Sequence, residues 1–242
     1  VSKVSVFLPS FNKGLYVLDA MRSVFAQTMR DWELWILENS NDGETHKIVE
    51  AELARLSPKR RFKVHYERLE GEEIEYRRAN SYITCWLLNV YYPEAGGEHI
   101  FYLSDDDLID PECLGVMAAE LDQNPGYHVV YAGLRHAVPS GPGDIGPFSD
   151  MGIPALDPKT FPGSVDCHID GGQVMHRKTC LDHLVFPYFQ ETGTPEELRH
   201  CDGIFLERLV GRFVFHPIPR YLITHRWTDK SVWSPKSDLR AR

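Results

Sequence analysis

Apolar residues along the chain fall into short runs that alternate with helically spaced segments. Val4-Ser5-Val6-Phe7-Leu8 is a compact apolar run closed by Pro9, the pattern of a buried parallel strand. A turn-like Ser10-Phe11-Asn12-Lys13-Gly14 follows. Tyr16, Val17, Ala20, Met21, Val24 and Phe25 then recur at helical spacing, which predicts a helix reaching Gln27. Trp32 to Leu37 reads as the second strand and ends in the polar cluster Glu38-Asn39-Ser40-Asn41-Asp42-Gly43. Residues 44–56 read as a helix closed by Ser57-Pro58, Phe62 to Tyr66 as a third strand, and 75–90 as another helix. Glu98 to Leu103 is a fourth strand, running into Ser104-Asp105-Asp106-Asp107.

The second half is less regular. Pro111 to Leu121 reads as a helix, with Pro111 suited to its first turn. Val129–Ala132 and Gln173–His176 read as strands, Lys178–Leu184 as a short helix and Glu196–Leu209 as a longer one. Phe213–Phe215 and Tyr221–Ile223 close the series as two strands. Residues 138–164 carry Gly141-Pro142-Gly143 and show no periodicity, so they form either a lid or a plain surface excursion. Residues 227–242 read as a polar tail, partly disordered. Strand and helix alternating in this order predict an α/β fold, a three-layer sandwich around a mostly parallel sheet. In such sheets ligands gather beyond the carboxyl ends of the strands. Here those ends carry Pro9–Phe11, Glu38–Asp42 and Asp105–Asp107.

Composition narrows the class. The 242 residues are 43% hydrophobic and 25% charged, which suits one domain or two closely joined halves and argues against disorder or coiled coil. Lys+Arg number 26 against 35 Asp+Glu, a net charge of −9, so nothing favours nucleic acid as a partner. No run approaches the roughly 18 apolar residues of a membrane-spanning helix, and the opening residues read as a strand rather than a signal peptide. Five scattered cysteines, an odd number without a CxxC, fit free thiols and a cytoplasmic location. Cys167-His168 and His200-Cys201 together could supply four zinc ligands. Adjacent residues of an extended segment point to opposite faces, however, which makes convergence difficult.

Three adjacent aspartates are costly to keep ionised together unless a cation sits among them. Asp105, Asp106 and Asp107 are therefore the strongest metal signal, and oxygen-only ligands favour Mg2+ or Mn2+. An EF-hand is excluded because Asp110 stands where its sixth position needs Gly. The plainer alternative is an N-cap for the Pro111–Leu121 helix, although a cap needs one aspartate. No GxxxxGK[ST], no GxGxxG after the first strand and no GxSxG occurs, so phosphates would be held by metal rather than by a glycine cradle.

With Val4–Lys13, Ala20–Thr28, Asp31–Leu34, Glu38–Gly43 and the aspartate run before Pro111, the chain resembles family 2 glycosyltransferases. Val174-Met175-His176-Arg177 and His200-Cys201-Asp202 extend the resemblance, most closely to the bacterial spore-coat polysaccharide type. It covers residues 3–226 and is densest over 4–45 and 99–112. It implies a GT-A fold, Rossmann-like, with a nucleotide-sugar-binding half (1–108) and an acceptor-binding half (109–226) on one sheet. It also implies a nucleoside-diphosphate sugar donor, UDP- or dTDP-linked, a divalent metal, and inversion at the anomeric carbon.

Carried over by position, Pro9 and Phe11 line the base pocket, and Glu38, where the family more often has Asp, accepts a hydrogen bond from the base. Asp105 lies nearer the ribose. Asp106 is the metal ligand, with Asp107 beside it because relatives often carry Asp at the position of Ser104. Arg78, near Asn80, is the diphosphate partner. Inverting transfer also needs a base for the acceptor hydroxyl. Asp202, opening a helix in the second half, suits that role; its alternative is an N-cap. Asp170 before Gly171-Gly172 contacts a sugar or simply makes a turn. His225, after the last strand, is a third metal ligand, a phosphate contact or a structural histidine, and His176 reads as structural. Two other classes share these features. A nucleotidyltransferase would carry a Gly-rich basic loop after the first strand, and a non-catalytic nucleotide-sugar-binding protein would keep the fold without turnover.

Overall fold

The computed structural model describes residues 3–80, 83–150, 165, 168–189 and 201–231; at 78–80, 148 and 201 only the backbone is described. The first half alternates β1 (Val4–Ser10), α1 (Tyr16–Phe25), β2 (Trp32–Glu38), α2 (Thr45–Leu53), α3 (Pro58–Arg61), β3 (Val64–Arg68), α4 (Glu72–Asn80), α5 (Ile83–Tyr91) and β4 (His99–Tyr102). The second half adds β5 (Leu108–Ile109), α6 (Cys113–Gln123), β6 (Val129–Ala137), β7 (Phe148–Asp150), β8 (Val174–Arg177), α7 (Cys201–Val210) and β9 (Phe215–Arg226). All strands join one sheet in the order β3-β2-β1-β4-β8-β6-β9-β5, with β7 on β6. The run β3-β2-β1-β4 is parallel, as is β6 with β9; β8, β5 and β7 pair antiparallel.

Side-chain alternation along the buried strands sorts the core into two layers. On one face Val4, Val6 and Leu8 of β1 meet Val17, Ala20, Met21 and Val24 of α1, Val49 and Leu53 of α2, and Leu114, Met117 and Leu121 of α6. On the other, Phe7 and Trp35 meet Leu87 and Leu88 of α5, and Phe205, Leu206 and Leu209 of α7 pack there too. Helices on both faces of a twisted sheet make the three-layer α/β sandwich that the alternation predicted.

Several boundaries differ from expectation. β1 runs through Pro9 to Ser10. Its pairing with β4 ends at Phe7–Tyr102, so Pro9 needs no amide on that side. Ser57-Pro58 starts a one-turn helix instead of ending one, Pro58 sitting in its first turn. The helix expected over 75–90 is helical on both sides of residues 81–82, which lie outside the described residues. The two expected C-terminal strands are one, β9. Register shifts against β6 around Gly133 absorb Pro219, which cannot donate to a ladder. Within 138–164, residues 148–150 add β7 to the sheet, and 151–164 lie outside the described residues. Of the first five tail residues Thr228 and Ser231 are buried while Asp229 and Lys230 are exposed; 232–242 lie outside the described residues.

Candidate active site

The parallel strands β1, β2 and β4 end side by side, and each delivers polar residues to the same edge. After β1 the chain turns at Asn12, which holds φ at +55°, a left-handed conformation that asparagine tolerates better than most residues. Its side-chain oxygen accepts the amides of Asn41 and Asp42, and its own amide donates to Ser40 Oγ. The loops after β1 and β2 are thereby locked together. Pro9 is buried in β1, and Phe11 is 39% exposed just beyond it. Glu38, the last residue of β2, is buried and accepts the Ser40 amide at 2.8 Å. Burial, with the Glu38 charge added, pushes the neighbouring Tyr66 phenol up.

Beyond β4 the chain turns tightly through Asp105, Asp106 and Asp107, all three buried. Phe11 N–H donates to Asp105 Oδ2 at 2.9 Å, which ties the β1 loop to the aspartates. Burial pushes the Asp105 carboxyl up to about 7, Asp106 adding to the shift and Lys13 opposing it. Burial acts the same way on Asp106, but the Lys13 ammonium at 2.6 Å and Ser231 Oγ at 2.7 Å hold it below the usual carboxylate range. Asp107 Oδ2 is 3.1 Å from Nδ1 of His225, in β9, and its Oδ1 accepts the Arg226 amide at 2.9 Å. Burial alone would lower the His225 pKa; Asp107 foremost, then Asp170 and Asp106, raise it to about 9. His225 is therefore an imidazolium at neutral pH, and it would have to lose that proton to ligate a metal.

Asp170 and Asp202 approach from the second half. Asp170 Oδ1 accepts the Gly172 amide at 2.8 Å and caps the short helical turn before β8, so the turn role is realised. Burial raises its pKa, His225 opposing and Asp107 adding, which sets it in the same electrostatic cluster. Asp202 stands in the first turn of α7, and its Oδ2 accepts the Gly171 amide at 3.1 Å. Gly171 is wedged there: a Cβ would lie 3.0 Å from Asp202 Cβ and 3.5 Å from the Tyr102 ring, at the end of β4. A side chain at 171 would press on Asp202 and force it to shift. His176 is buried among Tyr92 and Phe205, a structural position.

Of the predicted residues, the structure brings Asp105, Asp106, Asp107, Asp170 and His225 into one charged cluster, and Phe11 touches it. Glu38 lies at the neighbouring strand end. The Arg78 side chain, Cys167 and His200 lie outside the described residues, as does the Cys201 side chain, and with them the four-residue zinc pattern. Lys13, Arg226, Thr228 and Ser231 are members that sequence reasoning missed. Lys13 and Arg226 lie a few residues beyond predicted strands, a position that by itself singles out no basic residue.

The donor set fits a divalent cation. Asp105, Asp106, Asp107 and Asp170 are four carboxylates beside Lys13 and His225, while the Arg226 guanidinium is taken up by Asp19 at 2.8 Å. Burial foremost pushes Asp105 and Asp170 up, with the neighbouring carboxylates Asp106 and Asp107 adding to it. Hard oxygen ligands of this kind suit Mg2+ or Mn2+. Glu98, His99 and Asp122 form another group with metal-ligating atoms, at the opposite, amino end of β4. There the Lys3 ammonium already bridges Glu98 and Asp122, the latter at 3.0 Å.

Comparison with known proteins agrees with this geometry. The sequence profile described as Glycosyl transferase family 2 matches residues 5–179. Protein CgeD of Bacillus subtilis (strain 168) is 30% identical over 233 residues, 95% of this chain and 51% of CgeD. Among solved structures, S. aureus TarS 1-349 in complex with UDP-GlcNAc superposes with a TM-score of 0.64 at 17% identity, covering 97% of this chain and 61% of that one. The mannosyltransferase PcManGT from Pyrobaculum calidifontis, in complex with GDP-Man and Mn2+, gives 0.59 at 13% identity, covering 95% and 58%. The chain thus spans about half the length of CgeD and about three fifths of the two structures. Among the described residues no helix is long and apolar enough to cross a membrane. With the profile matching most of its length and its α/β sheet shared with TarS, the chain belongs to glycosyl transferase family 2.

Proposed function

We propose that this chain transfers a sugar from a nucleoside-diphosphate sugar, UDP- or dTDP-linked, to an acceptor hydroxyl with inversion at the anomeric carbon. The observation that carries the reading is the excess of carboxylates over cations where β1, β2 and β4 end. The complexes of TarS with UDP-GlcNAc and of PcManGT with GDP-Man and Mn2+ support a nucleotide-sugar donor. Residues 1–108 hold the donor and 109–226 the acceptor. Buried free thiols at Cys113 and Cys180 support a cytoplasmic setting.

Pro9 and Phe11 line the base, Glu38 accepts a hydrogen bond from it, and Asp105 faces the ribose. Asp106, Asp107 and a deprotonated His225 would hold Mn2+ or Mg2+, with Arg78 on the diphosphate. When bound, the metal neutralises charge that develops on the leaving diphosphate. Asp170 orients a sugar hydroxyl. Asp202 takes the proton of the acceptor hydroxyl as its oxygen bonds to the anomeric carbon, while the bond to the diphosphate oxygen breaks on the opposite face. The nucleoside diphosphate leaves, and the configuration is inverted.

Asp202→Asn is the test, because it keeps the shape and cannot take a proton. Single-turnover transfer at saturating donor is expected to fall by about 10²–10⁴-fold, with donor affinity and melting temperature near wild type. A rate within about threefold of wild type would reject Asp202 as the base, since Asn caps a helix about as well as Asp.

A further inference from the structure

Asp106 Oδ2 accepts three hydrogen bonds, and all three come from groups that a metal would have to displace. Lys13 Nζ lies at 2.6 Å, Ser231 Oγ at 2.7 Å and Thr228 Oγ1 at 3.2 Å. One carboxylate oxygen offers about two lone-pair sites, so this oxygen is saturated. The Lys13 ammonium also lies 3.7 Å from Asp105 Oδ1, so it straddles the paired aspartates as a bridging cation would.

The same ammonium holds the chain that follows β9. Lys13 Nζ donates to the Lys230 carbonyl at 3.2 Å, and Tyr16 Oη donates to Asp229 Oδ1 at 3.2 Å. The Lys230 side chain lies over Gly14, 2.9 Å from where a Cβ would stand. The turn is closed within itself by the Thr228 amide donating to Ser231 Oγ at 3.0 Å. Residues 228–231 therefore form a clasp whose two anchors are Asp106 and Lys13.

A divalent ion takes carboxylate oxygen at about 2.0–2.1 Å for Mg2+. An ammonium 2.6 Å from that oxygen would be its immediate neighbour, and like charges so close repel strongly. Ion and ammonium exclude each other. Room for the displaced side chain exists: a cleft of about 740 Å³, lined by Lys13, Glu44, Ser140 and Trp227 among others, opens beside the clasp.

We propose that Lys13 is a resident cation standing in for the divalent metal on Asp106, and that metal loading expels it and releases the 228–231 clasp. The exchange couples cofactor binding to the opening of a segment far along the chain. It rests on the metal reading given above.

Calorimetric titration of Mn2+ into the full chain tests the proposal, alongside hydrogen exchange of the 228–231 amides. Lys13→Met removes the competing charge and is expected to tighten Mn2+ binding by about tenfold or more, within the usual span of site-to-site coupling. Ser231→Ala removes one clasp bond without touching the charge and should tighten it by a smaller factor. In wild type, Mn2+ should speed exchange at the clasp. In Lys13→Met the clasp should exchange faster even without metal. Mn2+ binding to wild type with an affinity that neither variant raises, or with clasp exchange unchanged, overturns the exchange while leaving the metal reading intact. No Mn2+ binding to any of the three proteins overturns both.

Discussion

Arg226 offers a sharp test of how the aspartate turn is held. Its side chain is 1% exposed, yet it carries a full charge at the end of β9. Nη1 donates to Asp19 Oδ2 at 2.8 Å, Nη2 to the Tyr16 carbonyl at 3.4 Å, and Nε to the Asp106 carbonyl. The guanidinium also sits 5.4 Å over the Tyr16 ring. Three elements, α1, the aspartate turn and β9, are joined through one planar fork, a geometry lysine cannot reproduce. Arg226→Met keeps the apolar stem and removes the charge. Asp19 then keeps the Gly143 amide but loses its ion-pair partner.

Breaking a buried pair costs about 3–5 kcal/mol. The Asp19 side chain is 17% exposed, so water relieves part of that cost and the loss should fall near the lower end, about 3 kcal/mol. For a chain of this length that corresponds to a drop of roughly 6–12 °C in Tm. Urea unfolding of Arg226→Met, Asp19→Asn and the double variant measures the pair directly, with a coupling of about 1–3 kcal/mol expected. A loss below about 1 kcal/mol, or strictly additive effects, would refute the view that this pair braces the aspartate turn.

Chelation should abolish transfer and added Mn2+ or Mg2+ restore it, with Asp106→Ala behaving as chelated wild type; steady-state rates check this, and full activity in chelator would contradict it. Glu38→Ala should weaken nucleotide binding by about 1.5–3 kcal/mol, the worth of a hydrogen bond to a charged group, with calorimetry as the measure. Burial lowers the His176 pKa from 6.5 to about 4, so the unfolded chain binds its proton first. That group's contribution is present above pH 6.5 and lost as pH falls toward 4, by up to roughly 3 kcal/mol. Urea unfolding across pH 4–7 should show a shallower acid decline in His176→Leu than in wild type.

Local pattern alone determined the alternation of elements and hence the layered class. The apolar runs at Val4–Leu8 and Trp32–Leu37 and the helical spacing from Tyr16 to Phe25 each reflect burial within a single element, which needs no knowledge of the partner. The strand-end clusters were equally plain, because a polar run after an apolar one marks where a parallel strand leaves the sheet. Tertiary structure decided how those clusters pair. Lys13 reaches Asp106 at a sequence separation of 93, and Ser231 reaches it at a separation of 125. The first contact arises because β1 pairs with β4, the second because β9 returns beside β6 and brings residues 225–231 to the aspartate turn. A lysine in a turn and a serine in a polar tail have no pattern that distinguishes them from solvated neighbours. Their meaning comes from the low-dielectric site that the fold closes around them, where a single ammonium changes the balance of charge.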